Sequence, residues 1–434
     1  MNFTRRNFLQ AGAALAAAFG ASKAKPFLGT GIAEAKDVET PSYTITDACE
    51  RFDQKNTMFV RAFWDKEYMK RRAALKQRDL NLEQELDAIA LNYAGWWRQN
   101  LAGPFCSFGA PCAPPLMRWD DELVEMTPKQ AALYSKKGLK PTDNPMEFAD
   151  KPADFRYEAT PEVLSRKVKN AAKFFGASLV GVTKLNPKWV YSTYLDLRER
   201  RIKTWSKDPA QFKYAVSIGI SMDYEAQRDI TSYFASASTG LGYSKMVEVS
   251  SSVAKFIRML GYPAIPVGND TCTNVPIAID AGLGELGRNG IVITPELGPR
   301  VRLCTVLTDM PLQPDKPIEF GVKEFCKNCG KCAESCPSGA ISKGELTDQP
   351  NNRSNRPGIV RWPVNAEKCF DFWHVNRSAC NVCVAVCPFN KKSDIWFHRL
   401  MPNFIEKSDM GVIDYLFVKL DDLLGYGTRK RFKL

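Results

Sequence analysis

Eight of the thirteen cysteines lie between residues 321 and 392, and this run constrains the fold more than any other feature. Its first half places Cys326, Cys329, Cys332 and Cys336 at the spacing C-x2-C-x2-C-x3-C, and Pro337 follows the fourth cysteine. In this pattern three closely spaced thiolates surround one cubane iron–sulfur cluster, and the fourth ligates a neighbouring cluster. The segment therefore predicts two [4Fe–4S] clusters.

The second half of the run has an unusual spacing. Cys380, Cys383 and Cys387 are followed by Pro388, but the first cysteine of a bacterial ferredoxin motif is missing from its place. The nearest candidate is Cys369, with ten residues between it and Cys380. We take Cys369 as that ligand.

Cross-ligation then divides the eight cysteines into two sets of four. The first cluster is assigned to Cys326, Cys329, Cys332 and Cys387, and the second to Cys336, Cys369, Cys380 and Cys383. Two zinc sites or disulfides are the alternatives, and the CPS and CPF sequences and the scarcity of histidine disfavour both. Such clusters transfer single electrons, so another part of the chain must receive them.

The composition excludes several kinds of site. At 434 residues the chain is long enough for more than one domain. Its net charge of +12 is scattered along the sequence, which does not favour nucleic-acid binding. The two histidines, His374 and His398, are too few for a histidine-based metal or acid–base centre.

The N-terminus resembles a twin-arginine export signal. Arg5 and Arg6 precede an apolar, Ala-rich stretch, and Ala33-Glu34-Ala35 forms an A-x-A cleavage site. We therefore treat residues 1–35 as a signal peptide; a short membrane anchor is the alternative, although the apolar run is too short to span a bilayer.

Residues 36–155 form an N-terminal region that the sequence describes poorly, with a helical run at 82–101 and two cysteines, Cys106 and Cys112, that we interpret as free buried thiols. Helical and strand patterns alternate over 156–320, which predicts a layered domain of the α+β or α/β class. We expect helices at 160–176 and 239–261. The ferredoxin-like module at 321–392 follows, and 393–434 is interpreted as a surface tail.

The glycine-rich segment AGLGELGRNG does not form a GxGxxG dinucleotide motif after a strand. Its glycines would allow the backbone to approach a large flat ligand closely.

Several motifs together resemble the corrinoid-dependent reductive dehalogenases of organohalide-respiring bacteria. They are SLVGVTKLNPKWVYS, TGLGYSKM, FIRMLGYPAIPVGND, AGLGELGRNG, ITPELGPRVRL, MPLQPDKPIEFGVKEFC and the two cysteine runs.

The resemblance implies a nitroreductase-like domain that binds a cobamide in the base-off form, without a histidine ligand to cobalt, followed by the two-cluster module. No Asp-x-His-x-x-Gly motif occurs, in agreement with this. The resemblance also implies that Tyr243 donates a proton with support from Arg302 and Asn269. The residues that it suggests for cofactor binding or pocket walls are Thr239, Gly282, Gly284, Arg288, Asn289, Gly290, Gly298 and Trp373.

The function implied is reductive removal of halide from an organohalide as the terminal step of anaerobic respiration. The implied partners are a small integral membrane anchor protein and an electron donor of the respiratory chain, at the outer face of the cytoplasmic membrane; a homodimer is compatible with the pattern. Two alternatives stay open: a corrinoid and iron–sulfur epoxyqueuosine reductase, and an exported two-cluster electron-transfer protein.

Overall fold

The fold is that of a computed structural model, which describes residues 35–80, 82–95, 156–196, 201–205 and 207–390. The twin-arginine motif, Cys106, Cys112, His398 and the 393–434 segment lie outside the described residues.

The helices and strands are numbered in chain order within the described ranges. The α-helices are α1 (Met58–Trp64), α2 (Lys66–Ala73), α3 (Leu82–Gly95), α4 (Pro161–Phe174), α5 (Tyr224–Arg228), α6 (Tyr233–Met259), α7 (Asn274–Asp280), α8 (Val322–Cys329), α9 (Lys331–Glu334), α10 (Ala366–Asn376) and α11 (Val382–Ala385). The strands are β1 (Lys36–Asp37), β2 (Thr44–Ile45), β3 (Leu179–Lys184), β4 (Thr193–Asp196), β5 (Arg201–Thr204), β6 (Tyr214–Ser221), β7 (Ala264–Val267), β8 (Glu285–Leu286), β9 (Val292–Ile293), β10 (Val301–Thr308), β11 (Ile318–Glu319) and β12 (Ile359–Val360).

A four-stranded sheet with the order β3-β6-β10-β7 forms the centre of the molecule. Every neighbouring pair in it is antiparallel, and β10 pairs with β6 along its whole length from Val301 to Thr308. Of the two classes that the sequence left open, the antiparallel pairing selects α+β.

Both faces of this sheet are covered, because alternate residues of each strand point to opposite sides. Val216 and Val306 pack with the buried faces of α4 and α6. Ala215 and Leu307 pack on the other side with α7 and the fully buried Trp189. The sheet therefore has helices on both faces, and a separate hydrophobic core lies on each side of it.

The predicted elements of this domain are present, with one informative shift. Thr160 caps α4 and Pro161 is its first residue, as the sequence indicates. Helix α6 begins at Tyr233, earlier than the predicted 239, because the Ser232 hydroxyl accepts a hydrogen bond from the Ala235 amide and caps the helix there. Tyr243 therefore lies inside the helix and not at its start.

The N-terminal region is tied to the remainder of the chain through short strands and ion pairs. Strand β1 pairs with β11, and β2 pairs with β12. Arg61, which is almost fully buried, forms ion pairs with Asp65 and with Glu367 of α10. These contacts hold α1 and α2 against the helix that follows the first cysteine run.

Within the described ranges, no helix combines the length and the apolar character needed to cross a membrane.

Candidate active site

Tyr243, Arg302 and Asn269 come from three different elements and meet at one place. The Asn269 side-chain amide donates a hydrogen bond to the Tyr243 hydroxyl at 3.1 Å. The guanidinium carbon of Arg302 lies 5.6 Å from the centre of the Tyr243 ring, which is within the range of a cation–π contact. The structure therefore brings the three residues together, as the resemblance implies.

Gly242 explains how Arg302 reaches this position. Arg302 lies on β10, directly beneath α6, and a Cβ atom at position 242 would be 2.7 Å from its Cγ. Any other residue at 242 would push the guanidinium away from the neighbouring Tyr243. Gly242 of the TGLGYSKM motif thus leaves the space that the Arg302 side chain occupies.

Tyr243, Arg302 and Asn269 face a cavity of about 630 Å³, which we call the main cavity. This volume lies within the range of roughly 300–1,000 Å³ that is usual for sites binding small molecules and cofactors. Thr239 and Trp373, both suggested by the resemblance, also line it.

Two wall residues of the main cavity each have a buried side-chain N–H without a hydrogen-bond partner among the described residues: Nε of Arg302 and Nε1 of Trp373. A buried donor without an acceptor is costly, so such groups commonly mark a ligand site. The walls of the main cavity therefore contain unsatisfied N–H groups as well as apolar side chains.

The sequence did not identify several of the wall residues. Helix α1 and the residues before it contribute from the poorly informative N-terminal region, and the segment after β7 contributes buried polar groups. These residues are Gln54, Thr57, Met58, Phe59, Val60, Tyr191, Cys272, Thr273 and Asn274. The aromatic run around Phe59 was visible in the sequence, but nothing in the sequence placed it beside Trp373, whose ring centre lies 5.8 Å away.

The first set of cysteines surrounds a second, smaller cavity. Cys326, Cys329, Cys332 and Cys387 all line it, with Phe325 and Phe389 as apolar walls. Among the described residues no three His, Cys, Asp or Glu side chains lie close enough to hold a single ion, and these four thiols instead surround a space. Four thiolates are the donor set of a cubane cluster.

The second set is also gathered in one place. Burial and the nearby Cys380 and Cys336 thiols raise the pKa of Cys369 to about 12. Burial also raises the pKa of Cys383, which is further raised by Cys380 and Cys369. These mutual effects place Cys369 near Cys336, Cys380 and Cys383, and Cys383 is also influenced by Cys332 of the first set.

Burial of this kind disfavours a bare thiolate, and a bound cation compensates it. Cys336 differs from its neighbours: despite burial its pKa is lowered, because Ser338 and the backbone amide of Ala340 donate hydrogen bonds to its sulfur, the latter at 3.3 Å. Donors directed at a sulfur atom are the contacts that tune iron–sulfur clusters. Both cysteine sets therefore fit [4Fe–4S] clusters.

One helix connects the second cysteine set with the main cavity. Helix α10 carries Cys369, while Ala366 and Trp373 of the same helix line the cavity. Ala379, next to Cys380, also lines it. Residues next to the second set thus line the main cavity together with Tyr243.

The remaining cofactor-binding predictions lie elsewhere. Arg288 and Asn289 line the cavity of the first cysteine set, where the Arg288 guanidinium donates to the backbone carbonyls of Cys326, Ser342 and Gly344. Arg288 thus positions the loops around the first set.

The glycines of this segment need a different explanation from the one that the sequence suggested. A Cβ atom at Gly282, Gly284 or Gly298 would lie 2.1–2.4 Å from a backbone carbonyl oxygen of this chain. At Gly290 it would meet the side chain of Val364. These glycines allow parts of the protein to approach each other, and they do not line the main cavity.

Comparisons with known proteins agree with this arrangement. Residues 325–390 match the family of 4Fe–4S double cluster binding domains. The tetrachloroethene reductive dehalogenase of Sulfurospirillum multivorans is 38% identical over 294 residues, which cover 62% of this chain and 58% of that protein. The chain is thus similar to reductive dehalogenases over more than half of its length.

Two further comparisons show how much of the chain is similar to other known proteins. A solved reductive dehalogenase structure, described as suggesting a mechanism for B12-dependent dehalogenation, has a TM-score of 0.63 at 21% identity and covers 91% of this chain and 49% of that one. This likeness shows a shared fold. Epoxyqueuosine reductase of Listeria monocytogenes is 27% identical over 179 residues, or 39% of this chain and 44% of that protein. The chain spans about half the length of the reductive dehalogenases it matches.

Proposed function

We propose that the protein is a corrinoid-dependent and iron–sulfur-dependent reductive dehalogenase. In the reaction an organohalide takes up two electrons and one proton, the carbon–halogen bond breaks, and the products are a C–H bond and a halide ion. The observation that carries the proposal is the main cavity, which Tyr243, Arg302 and Asn269 line together with residues of the helix that carries Cys369.

The main cavity has features that fit a corrinoid. When bound, a corrinoid supplies the low-potential cobalt centre from which electrons reach the carbon–halogen bond. Thr239 and Trp373 would form part of its surroundings, and the N–H groups of Arg302 and Trp373 offer donors. His374 contacts Gln77 and is not among the described residues that line the main cavity.

Tyr243 is the proposed proton donor. Its hydroxyl oxygen accepts a hydrogen bond from Asn269, and the guanidinium of Arg302 lies over its ring. Both contacts stabilise the phenolate that remains after the proton has moved to carbon. Once a substrate is bound, the apolar walls of α1 and Trp373 would help to exclude water from this position, so that the proton is delivered to the substrate.

We further propose that the protein is exported by the twin-arginine pathway and acts at the outer face of the cytoplasmic membrane, held by a small integral membrane partner and reduced by a respiratory donor. The export motif around Arg5 and Arg6 supports this proposal. Replacing both arginines with lysine should leave precursor in the cytoplasm, and normal export of that variant would contradict it.

Halide release tests the proposed activity. Anaerobic protein loaded with corrinoid and clusters would be screened against chlorinated ethenes, chlorinated alkanes and halogenated phenols, with a reductant of low potential. Heat-denatured samples of the same loaded protein are the control, because free corrinoids also dehalogenate. We expect release that depends on the folded protein for at least one substrate class.

The alternatives predict different outcomes. An epoxyqueuosine reductase would reduce the modified base of a tRNA and release no halide from any of the three classes. A two-cluster electron carrier would contain no cobalt after purification with corrinoid present. Either result would remove the proposal.

A further inference from the structure

A chain of hydrogen bonds leads from the buried central sheet to Tyr243 at the main cavity. The Thr305 hydroxyl of β10 donates to Oδ1 of Asn274 at 2.7 Å. Nδ2 of Asn274 donates to Oδ1 of Asn269 at 2.9 Å, and Nδ2 of Asn269 donates to the Tyr243 hydroxyl at 3.1 Å. Each bond runs in the same direction, from the sheet toward the main cavity.

From this chain we propose that Asn274 and Thr305 are positioning residues for proton donation, which rests on the proposed function. Neither residue contacts the Tyr243 hydroxyl directly: Asn274 lies in the wall of the main cavity, and Thr305 lies behind it in the sheet. They act by fixing which end of the Asn269 amide faces Tyr243.

The need for such control comes from the symmetry of an amide side chain. An asparagine presents an oxygen acceptor and a nitrogen donor of nearly equal size, so rotation by half a turn exchanges them. With its nitrogen toward Tyr243, Asn269 donates to the phenol oxygen and stabilises a phenolate. With its oxygen toward Tyr243, it would accept the phenol proton and oppose its transfer.

Asn269 by itself has no strong preference, because it is open to the cavity and water can satisfy either orientation. Asn274 and Thr305 are different: they are 3% and 0% exposed, so water cannot replace their partners. A hydroxyl that donates to Oδ1 of Asn274 leaves Nδ2 of Asn274 as the group that faces Asn269. Because Nδ2 of Asn274 donates to Oδ1 of Asn269, Nδ2 of Asn269 is turned toward Tyr243. Hydrogen bonds arranged in series also strengthen one another.

The fold makes this chain available through elements that already position the site. Thr305 lies on β10, three residues beyond Arg302, and Asn274 is the first residue of α7. Strand β10 thus positions both the Arg302 guanidinium beside Tyr243 and the Thr305 hydroxyl, which orients Asn269 through Asn274.

The test is a double-mutant cycle on holoenzyme between Thr305→Val and Asn269→Ala, with Thr305→Ser as the conservative variant. Thr305→Val keeps the shape and removes the hydroxyl, and we expect kcat for halide release to fall about tenfold with KM unchanged. Thr305→Ser retains the donor and should stay within about twofold of the parent. In the Asn269→Ala background, Thr305→Val should cause no further loss.

Equal losses from Thr305→Val with and without Asn269 would overturn the inference, because a structural role would act independently of Asn269. A Thr305→Ser enzyme as impaired as Thr305→Val would overturn it as well. If Thr305→Val does not fold, Asn274→Asp decides, since aspartate still accepts from Thr305 but cannot donate to Asn269; a parent-like kcat in that variant would contradict the inference. A parent protein that releases no halide would instead refute the proposed function.

Discussion

The cysteine module and the main cavity are neighbours in space, but they are encoded in very different ways. The ligand candidates of the module lie within 326–387, at spacings that identify their chemistry directly. The walls of the main cavity come from residues as distant as Gln54 and Ala379. A metal cluster selects residues by the reach of short loops, whereas a cavity is built by the packing of whole elements, so only the first leaves a local pattern.

The same difference predicts how each region fails. The module depends on covalent bonds to iron, and losing one thiolate should abolish one cluster. The main cavity depends on many weak contacts, and single substitutions there should reduce function or stability by graded amounts.

The largest effect is expected at Cys369, the ligand with the unusual spacing. Cys369→Ser should lower the iron content from about eight to about four atoms per chain, because one of two cubane clusters loses a ligand. Halide release should be lost. Metal analysis with Cys304→Ala as the control tests this, since Cys304 is buried under α6 and outside both sets. Retention of about eight irons by Cys369→Ser would assign the ligand to another residue.

Tyr243→Phe should produce the next largest effect. The ring, the packing and both cofactors are retained, but the proton is removed, and general acid catalysis is typically worth about 10²–10⁴-fold. Turnover is compared with that of Tyr262→Phe, a matched control whose hydroxyl donates to the Tyr157 carbonyl outside the cavity. A fully loaded Tyr243→Phe enzyme with the parent rate would leave Tyr243 as a wall residue.

Arg61 and Arg71 test how the N-terminal region is held to the module. The Arg61 side chain is 7% exposed and pairs with Asp65 and Glu367, whereas that of Arg71 is 50% exposed. Arg61→Met should destabilise the protein by about 3–5 kcal/mol, because the buried Asp65 carboxylate loses its arginine and Glu367 keeps only the exposed Arg71. Arg71→Met should cost at most about 1 kcal/mol. Equal shifts in the unfolding midpoints would show that α1 is held by other contacts.

Glu285 gives a pH-dependent effect beside the module. It accepts hydrogen bonds from the backbone amides of Phe320 and Val322 at the start of α8, and burial raises its pKa to about 7 from 4.5. The folded protein thus holds this proton more tightly than the unfolded chain, so stability should fall by roughly 3 kcal/mol as pH rises from about 4.5 to 7.

Glu285→Gln should flatten that part of the stability profile, because glutamine does not titrate. Unfolding midpoints of parent and variant between pH 4.5 and 8 provide the measurement. Parallel curves would mean that Glu285 does not contribute to the pH dependence.

The smallest of these effects is expected for Arg302→Lys. Lysine keeps the positive charge beside Tyr243 but lacks the planar group that can lie over the ring. We expect turnover to fall about tenfold, or about 1.4 kcal/mol in the activation barrier. A loss as large as that of Tyr243→Phe would give Arg302 a larger role than phenolate stabilisation.

The comparison also explains what could be predicted from the sequence. Strands β3, β6 and β7 of the central sheet and helix α4 were visible because buried periodicity and capping residues act locally, whereas β10 was not identified. The grouping of Cys369 with Cys380 followed from cross-ligation. The contribution of α1 to the main cavity could not be predicted from the sequence. Helix α1 is held in place by the ion pair between Arg61 and Glu367, which are 306 positions apart in the chain.

The glycines show a further limit. A glycine in sequence indicates that something approaches the backbone, but not what. The group that approaches Gly242 is the Arg302 side chain, and the group that approaches Gly284 is a backbone carbonyl. Only the folded structure distinguishes such groups from a ligand.

The central claim is that electrons held by the cysteine module are used in the main cavity. The most direct measurement follows pre-reduced, corrinoid-loaded protein, freed of excess reductant, after addition of an organohalide. The spectroscopic signal of the reduced clusters and the halide concentration are recorded together. The account predicts that the clusters reoxidise as halide appears, with two electrons consumed per halide ion. Clusters that stay reduced while halide is formed, or that reoxidise without halide release, would contradict it.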